Sequence, residues 1–259
     1  MYLKIRSRNH SANQLRRKIV VTEPTVFRLG SQTPNSQIFK PQDRLRPIHE
    51  INTVVGCQNS NDKDQMKQCF DVYQVPTAKW QNCYDYHTTP QDLHYPLIIK
   101  HIHSSRGNGI FYIAEQVDWE QWRDNHFEQL SNYIIEEYKT YSREYRLHVD
   151  KFGCFLTHRK MLRSDATERW QRHHSNTVWI VETNPLFDKP NNWDEIVQAC
   201  QLAIHSVGLD IGCVDVKVQN ATHEQPKFII LETNSAPAMS EETAQLYLVE
   251  LKKFINEQI

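Results

Sequence analysis

The stretch "IGCVDVKVQNATHEQPKFIILETN", residues 211–234, holds two alternating runs around a polar loop. In the first, Val214, Val216 and Val218 fall on one face of a strand and Cys213, Asp215 and Lys217 on the other. In the second, Phe228, Ile230, Glu232 and Asn234 share a face. If the two strands form a hairpin about "QNATHEQP", Asp215 lies opposite Glu232, and Asn234 falls two residues further along the same face. Carboxylates directly opposite on a sheet, with Cβ atoms about 4.5–5.5 Å apart, repel unless something positive sits between them. Oxygens from two carboxylates and an amide suit Mg²⁺, which keeps several waters and takes remaining ligands from phosphates. The alternative is that Lys217 neutralises the pair on a solvated face.

Upstream, "IIKHIHSSRGNGI", residues 98–110, joins an apolar run ending in Lys100 to a loop with Ser104, Ser105, Gly107 and Gly109. Glycine lets the backbone approach closely, so N–H groups and hydroxyls of such a loop can meet phosphate oxygens, with Lys100 as a point charge beside them. The loop fits neither a Walker A motif nor a dinucleotide fingerprint, and a plain hairpin turn explains it equally well. Paired with the carboxylates about a hundred residues later, it implies a bound nucleotide.

The 259 residues can bury a sizeable core as one large domain or two small ones. The formal net charge of −1 announces neither nucleic acid nor an anionic membrane. The first fifty residues nevertheless carry ten Lys/Arg against three Asp/Glu, which is a solvated face or a place for an anionic partner. Six cysteines stand without a CxxC pair and suggest free thiols in a reducing cytoplasm. No apolar run approaches the roughly 18–20 residues that span a bilayer. The acid-free opening reads either as a transit peptide or as a strand followed by a Ser-capped helix.

Strands are expected near Tyr2–Ile5 and Lys18–Val21, with a helix from Ser11 between them and a polar loop through "GSQTPNSQ". The helix "NDKDQMKQCFDVYQ" stops before "VPTAKW" because the residue ahead of a proline is pushed out of the α region. Short strands follow at "YPLIIK", "GIFYIAE" and "YIIEEY", a helix at "DWEQWRDNHFEQL", and a hairpin "EYRLHV"/"CFLTHRKML" about "DKFG". In "NWDEIVQACQLAIHSVG" the residues Trp193, Ile196, Val197, Cys200 and Ile204 line one helical face that ends at Gly208. A last helix begins at "EETAQ".

In this order the parts resemble the ATP-grasp ligases, especially the branch with the glutamate ligases that modify ribosomal protein tails, from about Asn61 to the C-terminus. The resemblance implies an α/β (α+β) ATP-grasp fold with two α+β subdomains gripping ATP: an N-terminal α/β unit over 1–75, a central subdomain over 76–138 and a C-terminal one over 139–259. It implies that Lys63 of "DK", Lys100, the loop with Ser104, Ser105, Gly107 and Gly109, and the run Glu136, Glu137 and Tyr138 bind ATP. It further implies Asp215, Glu232 and Asn234 as ligands of Mg²⁺, and Arg146, Lys160, Arg172 and Asn176 as catalytic residues. Arg159 and Arg163 belong to the same basic strand region, and the alternative for Arg146 and Arg159 is structural pairing with Glu144 and its neighbours. The loop has fewer glycines than in many members, and "RHHSN" lacks the double glycine that often follows.

The implied reaction passes the γ-phosphoryl of ATP to a substrate carboxylate, giving an acylphosphate that an amine, or less often a thiol, then attacks. The partners implied are a small-molecule or peptide carboxylate and an amine acceptor, with an anionic partner at the basic N-terminal unit. A kinase acting on a hydroxyl and a catalytically silent nucleotide-binding protein are the alternatives. His101, His103, His173 and His174 lack zinc spacing, and Trp119, Trp122 and Trp193 are expected in the core.

Overall fold

The computed structural model describes residues 3–6, 19, 21, 23–84, 92–104, 107–167, 170, 176–184 and 187–256. The helix expected from Ser11 lies outside them, as do two of the four residues of the strand expected over 18–21.

Three sheets carry the fold. The first is parallel, in the order β1 (Leu3–Arg6), β2 (Thr25–Arg28), β3 (His49–Ile51), with a one-turn helix α1 (Asn35–Ile38) after β2. The partner of β1 is the run "TVFR". β2 is buried along its whole length even though it ends in an arginine. Arg28 is tolerated there because its guanidinium reaches Glu50 at 2.6 Å and the Asn52 carbonyl at 3.3 Å. Buried Asn52, in the left-handed region at φ 62°, donates to the carbonyls of Arg28 and Ile211 and accepts from the amides of Asp210 and Ile211. One side chain therefore fastens the N-terminal sheet to the segment that enters the Asp215 strand.

Two helices follow. Thr53 caps α2 (Val54–Asn61) by accepting from the Gly56 amide, and Asp62 caps α3 (Lys63–Tyr73) by accepting from Asp64 and Gln65. Gly56 is where α2 touches the Gly208 turn, and a Cβ there would lie 2.1 Å from the Gly208 carbonyl oxygen. Cys57, Met66, Phe70 and Val75 join a core shared with the C-terminal sheet. Within 1–75, β1–β3 thus form a separate sheet whose core includes Tyr247, Leu248 and Leu251, while the two helices join the core of the C-terminal sheet.

The second sheet has the order β4 (Trp80–Asn82), β7 (Tyr133–Glu137), β5 (Leu97–His101), β6 (Ile110–Ile113), all pairs antiparallel. Leu97, Ile99, Phe111, Ile113, Tyr133 and Ile135 bury one face under Trp119 and Trp122 of α4 (Gln116–Asn125). The register leaves Lys100, Ile134 and Glu136 on the other face.

The third sheet is antiparallel, in the order β10 (Thr177–Val181), β9 (Gly153–Leu162), β8 (Arg143–Asp150), β11 (Ile211–Val218), β12 (Phe228–Asn234). Tyr145, Leu147, Val149, Val214, Val216 and Val218 bury one face against Ile196, Cys200, Ala203 and Ile204 of α5 (Trp193–Ser206). On the other face, α6 (Glu241–Asn256) covers one end, where the Tyr247 hydroxyl lies 2.9 Å from His148 Nδ1. The rest of that face is left for polar side chains. Among the described residues no helix is long and apolar enough to cross a membrane.

At the foot of β8, Asp150 is buried, with its Oδ1 accepting from the amides of Phe152 and Gly153. Burial, reinforced by the Glu250 carboxyl, pushes its pKa from 3.8 to about 6. A carboxyl whose folded pKa is raised contributes stability that is complete below its unfolded value and lost as pH rises through the folded one. The advantage of Asp150→Asn over wild type in melting temperature should therefore grow between pH 4 and pH 7. An identical difference at both pH values would contradict this.

Candidate active site

The polar face of the third sheet is ordered by register. Asp215 pairs with Arg146 on one side and Glu232 on the other, and Arg146 pairs with His158. The next row reads Trp179, Lys160, Glu144 and Lys217. Arg146 grips Asp215 with two parallel bonds, Nε to Oδ1 at 2.6 Å and Nη2 to Oδ2 at 2.8 Å. Lys160 bridges two carboxylates, donating to Asp215 Oδ2 and to Glu144 Oε1, each at 2.7 Å.

Asp215 is thus neutralised by Arg146 and Lys160, and the reading in which Lys217 does so is overturned. Lys217 instead lies over the rings of Tyr138 and Tyr141, at 5.0 and 4.2 Å. Burial would raise the Asp215 pKa, but the two cations beside it hold it well below the usual carboxylate range. Asp215 is therefore an anion at any physiological pH. Glu232 is half-buried, and its carboxylate accepts no hydrogen bond among the described residues. Asn234 Oδ1 accepts from the Ala236 amide at 2.8 Å. The loop after β2 closes this end, since a Cβ on Gly30 would sit 2.5 Å from the Ala236 Cβ.

On the second sheet, buried Glu136 receives Lys100 at one oxygen and Lys67 at the other, the latter at 3.0 Å. Burial alone would raise its pKa; Lys100 and Lys67 bring it down to about 2. Glu137 accepts from the His94 amide and pairs with Lys139. Lys63 Nζ donates to the Ser104 carbonyl at 2.5 Å. Burial lowers the Lys63 pKa, while the Glu232 and Glu136 carboxylates act to raise it. The loop is built on Gly107 and Gly109, at φ 82° and 63°, and its Ser104 hydroxyl donates to the Asn108 carbonyl at 2.7 Å.

The charged side chains thus form two clusters: Lys63, Lys100 and Glu136 at the second sheet, and Arg146, Lys160, Asp215, Glu232 and Asn234 on the third. Asn176 is buried just before β10, where its carbonyl accepts from the Arg163 amide. Ser105 and Arg172 lie outside the described residues. Alternation on β9 puts Lys160 and His158 on the face that carries Asp215 and Arg159 on the other, where it meets Glu182 at 2.9 Å. Glu144, the alternative partner of Arg146 and Arg159, pairs with Lys160 instead. Lys67, His158 and Trp179 are not singled out by the sequence, where the only signal for Lys67 is its place one helical turn after Lys63.

No family model matches the sequence, and no curated protein does. Solved structures do match. The D-alanine–D-alanine ligase of Bacillus anthracis, complexed with ATP, superposes with a TM-score of 0.62 at 13% identity, over 91% of this chain and 81% of that one. The VanG D-Ala:D-Ser ligase of Enterococcus faecalis gives 0.62 at 16% identity, over 90% and 74%. N5-carboxyaminoimidazole synthetase of Staphylococcus aureus, complexed with ADP, gives 0.59 at 15%, over 82% and 54%. The chain spans 66% of a further Bacillus anthracis D-alanine–D-alanine ligase structure. The fold is the ATP-grasp fold.

Proposed function

We propose that the protein is an ATP-dependent carboxylate–amine ligase working through an acylphosphate. The supporting observation is the row Arg146–Asp215–Glu232, with Lys160 beside it, in a fold shared with ligases solved with ATP and ADP; in this reading the row faces Lys63 and Lys100 across a cleft. The donor set suits magnesium. Asp215 and Glu232 are paired carboxylates, Glu232 has no other partner among the described residues, and Asn234 adds an amide oxygen on the same face. When bound there, the ion would neutralise charge on the phosphates.

The chain's own residues do the rest. Lys63 and Lys100 hold phosphate oxygens, and the loop through Ser104, Ser105, Gly107 and Gly109 closes over them and keeps water from the acylphosphate. Glu136, Glu137 and Tyr138 lie at the adenine end. Arg146 and Lys160 carry positive charge beside the transferring group. No side-chain nucleophile is needed, because the substrate carboxylate attacks the γ-phosphorus and ADP leaves. The amine then attacks the acyl carbon, releases phosphate and loses a proton. Arg172 and Asn176 belong to the acceptor end in this reading. In the N-terminal unit Arg28 is spent on Glu50, so an anionic partner there would meet other cations such as exposed Lys4.

The test is ADP release with magnesium and ATP across a panel of amino acids and short peptides, with hydroxylamine as the amine. The expected product is a hydroxamate formed only with the right carboxylate. A stable phosphorylated product that forms without any amine would replace the ligase reading with a kinase.

A further inference from the structure

Trp179 is unusual among the large apolar residues of the C-terminal half. It lies on β10, the edge strand of its sheet, with exposed Val178 and Val181 on either side. It is itself 36% exposed and belongs to none of the hydrophobic clusters. Core packing therefore does not account for it. What it touches is charge: the Arg146 guanidinium carbon lies 4.7 Å from its ring centroid and Lys160 Nζ lies 4.9 Å away. The His158 ring meets it edge-on at 5.9 Å. One indole thus lies against both cations that hold Asp215.

A guanidinium has three nitrogens, and two of those of Arg146 are committed to Asp215. Nη1 donates to no described residue. With the plane fixed by Asp215 along one edge and by an aromatic ring against its face, the free edge keeps one direction. Without the ring, a bidentate carboxylate still permits the guanidinium to swing about the axis of the pair, and water can reach both it and Lys160.

We infer that Trp179 is a positioning residue, which stacks on Arg146 and Lys160 and so fixes the Nη1 edge of Arg146 toward the reacting phosphoryl group. The stacking stands on its own distances, and only what the fixed edge acts on rests on the ligase reading. The exposed remainder of the indole follows from this role, since the ring must border the cleft to cover two cleft cations.

The arginine side-chain N–H signals of ¹⁵N-labelled protein test it. Wild type should show one Nε–H signal that is shifted upfield by the indole ring current, exchanges slowly and is absent in Arg146→Lys. Trp179→Phe should retain a slowly exchanging signal with a smaller shift. Trp179→Leu should lose the shift and exchange faster by about two- to fivefold, the scale of a cation–π contact at a partly exposed ring. Magnesium–ADP titrated into wild type tests the nucleotide reading separately. Unchanged exchange in Trp179→Leu would overturn the inference, because Asp215 alone would then fix the guanidinium. Failure of magnesium–ADP to bind wild type would instead count against the nucleotide reading and leave the stacking result intact.

Discussion

Asp215→Ala is expected to lower the unfolding free energy by about 3–5 kcal/mol, the cost of removing one partner from a buried charge cluster. The side chain is 4% exposed and carries three charge-assisted hydrogen bonds, two from Arg146 and one from Lys160. Its loss leaves Arg146 without its carboxylate, while Lys160 keeps Glu144. Urea unfolding of Asp215→Ala and of the double variant with Arg146→Met separates the causes. If the uncompensated cation is responsible, the double variant should recover about 1–3 kcal/mol. A loss under about 1 kcal/mol in the single variant would mean that Arg146 turns out to water at little cost.

Glu136→Ala should be comparably severe, for the same physical reason in the other sheet. Lys67 is 1% exposed, and it and Lys100 both end on the Glu136 carboxylate. Removing that carboxylate strands a buried ammonium whose remaining partner is the Thr77 hydroxyl. The expected loss is about 3–5 kcal/mol, and Lys67→Met in the same chain should offset part of it. The pH dependence has a definite sign. Glu136 has its pKa depressed from 4.5 to about 2, so its contribution is complete above the unfolded value and fades as the pH falls toward the folded one. Wild type should therefore lose stability between pH 5 and pH 2 more steeply than Glu136→Ala. Parallel acid profiles would contradict the pairing.

Local patterns carried much of this fold. The alternation in residues 211–218 and 228–234 is that of a half-buried hairpin, and the chain pairs Asp215 with Glu232 as that alternation requires. A bulge between Asp215 and Val216 then shifts the register, which period-two reasoning has no means to foresee. The helix from Lys63 to Tyr73 has a capping aspartate and a proline after its end, both visible in the sequence. The strand at 25–28 was not legible, because its fourth residue is an arginine. Only the distant Glu50 and Asn52 make that position buriable.

The electrostatics of the cleft were less legible than its residues. Asp215 and Lys217 sit two apart on one face, so a local neutralisation was the natural alternative reading. The partners chosen come from β8 and β9, and which of Arg159 and Lys160 faces the cleft depends on a hairpin register fixed by tertiary contacts. Trp179 carried no sequence signal at all, since its meaning lies in a strand pairing with Lys160.

The central claim is that the two polar faces together hold a magnesium nucleotide, and thermal unfolding with ADP tests it most directly. ADP with magnesium at about 100 times its dissociation constant should add about 2.7 kcal/mol, a rise of roughly 5–10 °C for a chain of this size. The rise should shrink without magnesium and should vanish in Glu232→Ala, whose own melting temperature should stay near wild type because Glu232 holds no hydrogen bond among the described residues. No rise in wild type, or an equal rise with and without magnesium and in Glu232→Ala, would contradict the account.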